Sequence, residues 1–322
     1  METTFMKYLV RIVKVIIVPI ILFAIIWIIK PERVSVTNVV SMIVQAVLPA
    51  ILAWGVLFDI KVGNWDFAVG AEVLVASILG GNIAKSLNLG ITGVIICCIL
   101  VGFLFGAING AIYLLLKVPT IITSIGLMLV TESVCGVIFG GGGINLPTGW
   151  ATLGSNTAKI IAGIIAFLLA YYLYNVRKMG YQVRAVGNGM NIAKLNGINV
   201  LKIKYMSMMV AGLFAGIFAA MNLAGTGVTR PVGSMGSMAM VFDAMMCVFV
   251  GMAFQKSANM VITVYIGSII MQIIKLGLML FGFPSMFNQV VIAVIVLVFM
   301  SITSRGMIAK KKVKKETAPQ AG

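Results

Sequence analysis

Long apolar runs separated by short polar segments are the dominant pattern of this chain. A helix needs roughly 20 apolar residues to cross the hydrocarbon core of a bilayer, and eight runs are close to that length or exceed it. They are residues 12–29, 34–57, 91–116, 120–139, 158–176, 205–223, 260–281 and 287–304. The pattern predicts an all-α polytopic membrane protein. The first run has no small-residue cleavage site after it, which favours an uncleaved span over a signal peptide.

Two shorter apolar stretches, residues 67–79 and 238–254, bring the count to about ten transmembrane helices. Each is flanked by glycine and begins near an acidic residue, Asp66 in the first case and Asp243 in the second. Short, glycine-interrupted segments at matching positions in two halves of a chain indicate an internal repeat that lines a transport path. The predicted copies are residues 63–139 and 236–304.

Ten spans place both ends of the chain on the same side of the membrane. Cytoplasmic loops are enriched in Lys and Arg, and fifteen of the 24 basic residues lie in residues 1–14, 177–204 and 305–322. Ten spans bring these three segments together on one side, so we assign all three to the cytoplasm, within one membrane domain of residues 1–322. Eight spans give the same parity, and that count remains the alternative.

Composition excludes a soluble protein. The chain is 61% hydrophobic and 10% charged, with mean hydropathy +1.11, whereas soluble domains carry about 25% charged residues. The net charge of +16 follows from topology and does not require nucleic acid as a partner. Histidine is absent and the four cysteines lie in apolar runs without C-x-x-C spacing, so we predict no metal site and no cofactor.

No G-x-x-x-x-G-K-[ST] motif occurs in the chain, so the protein is predicted not to be an enzyme with its own ATPase site. Energy for active transport would come from another polypeptide or from an ion gradient. The loop 177–204 contains a short helical pattern at 191–196, with Ile192, Leu195 and Ile198 near one face. Exposed apolar residues on such a loop indicate a protein partner, although a solvated connector is the alternative.

Several ordered blocks match the pattern of one known family. They are NWDFAVGA at 64–71, GAING at 106–110, KVPT at 117–120, MGYQVRAVGN at 179–188, AKLNGINV at 193–200, DA at 243–244 and FNQVV at 287–291. In this order and spacing, over about residues 35–305, they resemble the ribose-type permeases of ATP-binding-cassette (ABC) importers, in the branched-chain amino acid/monosaccharide superfamily.

The resemblance implies a type II-like ABC importer permease fold in a bacterial plasma membrane. It also implies three partners: a second permease copy (identical or a paralogue), a cytoplasmic ABC ATPase, and an extracellular or periplasmic solute-binding protein. The solute would be a monosaccharide such as a pentose or hexose. The residues expected to couple the permease to the ATPase are Arg184, Gly187, Asn191, Ile192, Ala193, Leu195 and Gly197.

The chain departs from the family pattern in three places. One glycine replaces two in the segment after Asp243, the loop residues 189–193 lack the expected acidic residue, and Phe67-Ala68 replaces Leu-Ser. The first and third departures put a standard sugar specificity in doubt. The second indicates an adapted ATPase partner.

Polar residues inside a membrane are costly and are functional candidates by default. The candidates for the translocation path are Asp66, Glu72, Asn109, Glu132, Asp243 and Gln272. Helix capping is the alternative role for Asp66 and Asp243, and burial against Asn or Ser on a neighbouring helix is the alternative for Glu132.

Gly102, Gly106 and Gly110 form a G-x-x-x-G-x-x-x-G ladder that predicts close helix packing. The basic cluster at 310–315 would either contact anionic membrane lipids or remain solvated.

The alternative functions are a gradient-driven secondary transporter, with Glu72 or Glu132 relaying protons, and an ABC permease for a nucleoside or a sugar-like signalling molecule.

Overall fold

The computed structural model describes residues 17, 19–24, 26–28, 36–147, 149–255, 258–284, 287, 290–291 and 294. The predicted N-terminal segment 1–14, the basic tail 305–322 and nearly all of the last span at 287–304 therefore lie outside the described residues. The first span at 12–29 is described only in part, as an apolar helix at Pro19–Ile28.

The described chain is almost entirely helical. Its helices from residue 36 onward are α1 (Val36–Gln45), α2 (Val47–Lys61), α3 (Val69–Val75), α4 (Gly81–Ser86), α5 (Gly90–Leu116), α6 (Thr120–Val137), α7 (Asn156–Tyr171), α8 (Lys178–Asn188), α9 (Met190–Leu195), α10 (Val200–Thr226), α11 (Met238–Ala253) and α12 (Met260–Leu280). Two π-helical turns, Ala76–Gly80 and Tyr172–Val176, and a 3₁₀ turn, Ile138–Gly141, extend these helices.

Within the described residues, six helical segments are long and apolar enough to cross a membrane. They are Val39–Lys61, Gly90–Leu116, Thr120–Gly141, Asn156–Val176, Val200–Thr226 and Met260–Leu280. Each overlaps one of the predicted long runs, which confirms six of them. The shorter helix Met238–Ala253 matches the predicted stretch 238–254.

The predicted span 34–57 is broken into α1 and α2 at Ala46. Pro49 lies in the first turn of α2, where it has no N–H to donate and its ring opposes the carbonyl of Gln45. The proline therefore interrupts the helical hydrogen-bond ladder at Ala46, while the backbone stays helical there and Val39–Lys61 remains one apolar helical segment. Its Trp54 is buried and donates from Nε1 to the Val261 carbonyl at 2.9 Å, which attaches α2 to α12.

The predicted short stretch 67–79 lies within a longer helical unit. α3, the π-helical turn Ala76–Gly80 and α4 follow one another without a break from Val69 to Ser86, about 27 Å at 1.5 Å per residue. Close packing accompanies the π-turn, because a Cβ added at Gly80 would lie 2.8 Å from the Cα of Cys98 on α5. Every residue of α3 is buried, so this part of the unit lies inside the helix bundle.

Glycines bring α5 and α10 into backbone contact, as the glycine ladder predicts. A Cβ at Gly102 would lie 2.6 Å from the Gly216 Cα, and one at Gly106 would lie 2.9 Å from the Gly212 Cα. The partner glycines on α10 were not part of the predicted ladder. A Cβ at Gly212 would lie 2.7 Å from the Gly106 Cα, and one at Gly216 would lie 2.6 Å from the Cys98 carbonyl oxygen. Small residues allow such close approach between membrane helices.

The glycine-rich segment after α6 pairs with the segment after α10. In the structure, Ile144–Asn145 forms a two-residue antiparallel ladder with Val228–Thr229, which follows α10. Lys85, at the end of α4, donates to the Asn145 carbonyl at 3.1 Å. These contacts join the ends of α4, α6 and α10 on one side of the bundle.

Candidate functional site

The segment predicted to couple the permease to another protein contains two helices, α8 and α9. The sequence predicted helix only at 191–196; α9 covers nearly those residues, whereas α8 was missed. Ala193 is 2% exposed and packs inward, while Ile192 and Leu195 are 62% and 88% exposed. The segment therefore presents two large apolar side chains to its surroundings while a small one holds it against the bundle.

Glycines lie before and after α9 in the chain, and each permits a local backbone arrangement that a larger residue would disfavour. Gly197 has φ of 74°, a left-handed conformation that favours glycine, and Asn199 then begins α10 by accepting from the Lys202 N–H at 3.0 Å. Gly187 is in α8, and a Cβ there would lie 2.3 Å from the Lys61 carbonyl oxygen at the end of α2. Gly187 thus permits close contact between α8 and the end of α2.

Arg184 points back toward the membrane helices. Its guanidinium lies 5.1 Å from the ring centroid of Tyr174 and 4.5 Å from that of Tyr181, and Nη1 donates to the Tyr174 carbonyl. Cation–π contacts of this kind stabilise partly buried arginines. The arrangement gives Arg184 an anchoring role for α8, while the outward-facing positions belong to Asn191, Ile192 and Leu195.

A cavity of about 560 Å³ lies beside α9, at the ends of α5 and α10. It is lined by Tyr113, Met190, Lys194, Gly197, Ile198, Asn199, Val200, Leu201 and Lys204. Both lysines bring positive charge to a wall that also carries apolar side chains. Together with Ile192 and Leu195, this surface can accept side chains of a protein partner.

Three of the polar residues predicted for the path are engaged within the helix bundle. Asn109 Nδ2 donates to Glu72 Oε1 at 2.6 Å, and both residues are buried. Asp66 accepts from the Ala68 N–H at 2.9 Å, just before α3 begins at Val69. Hydrogen bonds between buried side chains stabilise helix contacts in membranes.

Glu132 binds the start of a different helix. Its carboxylate accepts from the Met235 N–H at 3.0 Å, from the Ser237 N–H at 2.9 Å and from the Ser237 hydroxyl at 2.5 Å. These groups immediately precede α11, where free N–H groups and the helix dipole favour an anion. Ser234 and Met235 have φ of 57° and 65°, so Glu132 also stabilises a turn that non-glycine residues rarely adopt.

We expect Glu132→Gln to destabilise the chain by about 1–3 kcal/mol, because the amide nitrogen would face a donor and leave a buried N–H unpaired. Thermal unfolding of the detergent-solubilised chain, and hydrogen exchange at 235–238, measure the effect. Ser133→Ala is the matched control, since Ser133 is exposed on the same helix and bonds only within it. Unchanged stability combined with lost uptake would instead move Glu132 to the transport path.

Asp243 has a different environment from Asp66. It is the sixth residue of α11 and accepts from Lys275 Nζ on α12 at 2.6 Å. The capping role considered for Asp243 is therefore wrong, because the helix begins five residues earlier and the side chain pairs with a cation. Gln272 lies one turn from Lys275 and is half-buried.

Sequence reasoning missed Lys275 and a buried polar group at the end of α2. Ser207 donates to Asp59 at 2.6 Å, and Asn64 Nδ2 lies 3.3 Å from the Ser207 hydroxyl. Asp59 lies beyond the predicted run 34–57 and was not among the candidate residues, whereas α2 continues to Lys61. Lys275 interrupts the apolar run 260–281, and that interruption was the signal in the sequence that could have identified it.

Among the described residues, no group of three or more His, Cys, Asp or Glu side chains is placed to hold a metal ion.

The six apolar helical segments in the described part of the chain indicate a multi-pass membrane protein. The chain belongs to the family of branched-chain amino acid transport system permease components, whose model matches residues 38–300. This confirms the family to which the sequence motifs pointed.

Three relatives illustrate the similarity. The ribose import permease protein of Escherichia coli (strain K12) is 25% identical over 304 residues, covering 91% of this chain and 93% of its own. The galactose/methyl galactoside import permease protein of the same strain is 25% identical over 92% and 94%. The ribose import permease protein of Haemophilus influenzae is 29% identical over 87% and 88%. No solved structure matches the chain.

Proposed function

We propose that this chain is the permease subunit of an ABC importer that moves a monosaccharide, a pentose or hexose, into the cytoplasm of a bacterium. The observation that carries the proposal is α9, a short helix outside the apolar spans that exposes Ile192 and Leu195. An exposed apolar pair requires a partner surface, and the ribose and galactose import permeases among the relatives favour a sugar.

The proposed assembly contains two permease chains, a cytoplasmic ATPase and an external solute-binding protein. The ATPase would receive Ile192 and Leu195 and, on closing, move α9. Ala193 is buried beneath them, and Gly187 is in close contact with the end of α2, so a displacement of α9 would reach a membrane helix through packed atoms.

We also propose ten spans with both termini in the cytoplasm, in the bacterial plasma membrane. The unbroken helical unit from Val69 to Ser86 supports counting the first short stretch as a span, because its length of about 27 Å nearly matches the hydrocarbon core. The two halves, 63–139 and 236–304, would then be repeats of one motif.

Among the candidate path residues, Asp243 and Gln272 have the surroundings of path-lining groups. Both are partly exposed on membrane helices, whereas Asp66, Glu72, Asn109 and Glu132 are buried and hydrogen-bonded within the bundle. We therefore place the conduit along α11 and α12, and assign the four buried residues to helix capping and packing.

The test is purification of the tagged chain from native membranes in mild detergent, followed by uptake in vesicles. We expect an ABC ATPase to copurify at about one copy per permease, and uptake of radiolabelled D-ribose or D-galactose to require ATP on the cytoplasmic side. Vesicles given a proton or sodium gradient without ATP are the control. Uptake driven by the gradient alone, with no ATPase present, would support a secondary transporter instead.

A further inference from the structure

An ion pair lies well inside two apolar helices. Lys275 Nζ and Asp243 Oδ2 are 2.6 Å apart, and their side chains remain 23% and 32% exposed. Each residue is five positions from one end of its helix, α12 for Lys275 and α11 for Asp243. At 1.5 Å per residue this is a depth of about 7.5 Å along the helix, beyond a single helical turn.

A polar stripe on α12 continues inward from the pair. Ser268, Gln272 and Lys275 are spaced i, i+4 and i+7, so they share one helix face. Lys275 and Gln272 are both half-buried, and Ser268 is fully buried. The stripe is therefore partly accessible at Lys275 and Gln272 and closed at Ser268.

Hydrogen-bonding capacity at the ion pair is unused. Asp243 Oδ1 is buried without a hydrogen-bond partner among the described residues, and Gln272 makes no side-chain hydrogen bond to any described residue. The ammonium group of Lys275 bonds only Asp243 within the described chain and can donate twice more. Unsatisfied polar groups in an apolar region are costly, which favours a polar occupant.

Contact with lipid does not explain this face. Charged side chains within membrane helices almost always face a water-filled cavity or the bundle interior. These two side chains are partly covered by the chain and lie five residues from the helix ends. Packing alone also gives no reason for the charges, because a structural ion pair is often replaced by apolar residues without loss of stability.

We infer that Asp243, Lys275 and Gln272 form a hydroxyl-binding site for a neutral polyol in the translocation path. The carboxylate can accept from one hydroxyl, while the ammonium and amide groups can donate to others. Because the two charges compensate each other, the site offers no net attraction to an anionic or cationic solute. The inference rests on the proposed function and specifies its substrate class.

The first test replaces both charges together, as Asp243→Leu/Lys275→Met, in the full transporter reconstituted with its ATPase and binding protein. We expect uptake of the sugar that the wild type carries, D-ribose or D-galactose, to fall about tenfold or more through lost hydrogen bonds. Copurification of the ATPase and thermal stability should be retained. Asp243→Asn/Lys275→Gln is the matched control; it keeps hydrogen-bonding groups and should retain more uptake than the apolar pair.

A second experiment tests whether water reaches the site. It uses a variant in which the ion pair is intact. Gln272→Cys should react with a charged, membrane-impermeant methanethiosulfonate reagent, and the transported sugar should slow the reaction. Leu168→Cys on α7, where Leu168 is 58% exposed on an apolar face, should stay unmodified. The Cys97→Ala background removes the one native thiol that is partly exposed.

Wild-type uptake by the Leu/Met variant, or a Gln272→Cys thiol that never reacts, would overturn the site. If the double variant fails to assemble, the labelling result decides alone. Failure of the proposed function is separate, since it would appear as wild-type uptake that does not require ATP.

Discussion

Uptake falls at least tenfold in an Ile192→Asp/Leu195→Asp variant of the full transporter, while membrane insertion is unchanged. These side chains are 62% and 88% exposed, so the substitutions remove little from the core of the permease. In an assembled transporter, however, they would place two carboxylates in an apolar contact. Burying an unpaired charge costs several kcal/mol, and about 1.4 kcal/mol already weakens binding tenfold.

Copurification of the ATPase and ATP-dependent uptake in vesicles measure this prediction. Asn196→Asp is the matched control, because it adds a carboxylate beside the same helix at an exposed polar residue and should retain uptake. If the double variant transports normally at normal expression, α9 is a solvated connector and the coupling assignment fails.

Gly106→Leu should prevent α5 and α10 from packing. The first side-chain carbon would lie 2.7 Å from the Met208 carbonyl oxygen and 2.9 Å from the Gly212 Cα, and both are backbone atoms that cannot rotate away. The helices must separate, which breaks van der Waals contact along the glycine seam. We expect a loss of several kcal/mol in stability, at or above the 1–3 kcal/mol typical of overpacking.

Size-exclusion behaviour and thermal unfolding of the detergent-solubilised chain check this result. Gly126→Leu on α6 is the control, since a Cβ there meets nothing within 4 Å in the chain and should leave the fold of the isolated subunit intact. A monodisperse Gly106→Leu chain with wild-type thermal stability would mean that the seam is not required for packing.

Some structural features of this chain were predictable from its sequence, whereas others were not. Apolar run length predicted six spans well, because the bilayer imposes a minimum length that any sequence must meet. The break at Pro49 lies within one of those runs, although proline itself was a visible signal. α8 escaped prediction because its residues are of mixed polarity, and its helical form depends on Arg184 and Gly187 packing against the membrane helices.

The same division applies to the candidate site residues: the sequence identified them, but it did not identify their partners. Charge in an apolar run marked Asp66, Glu72, Glu132 and Asp243 as unusual, yet the composition of a run does not say which neighbour a side chain meets. Glu132 and Ser237 are 105 positions apart, and Asp243 and Lys275 are 32 apart. Such partners are determined by how helices pack, and no local pattern encodes that.

The amino-acid sequence by itself determined that this protein lives in a membrane, that it is helical, and to which permease family it belongs. These properties follow from summed hydrophobicity, from the hydrogen-bonding needs of backbone in lipid, and from ordered motifs. Only the tertiary structure decided that Glu72 and Glu132 are engaged inside the bundle while Asp243 and Lys275 form a partly exposed ion pair. The physical reason is that the cost of a polar group in a membrane depends on its partners, and packing between distant helices supplies those partners.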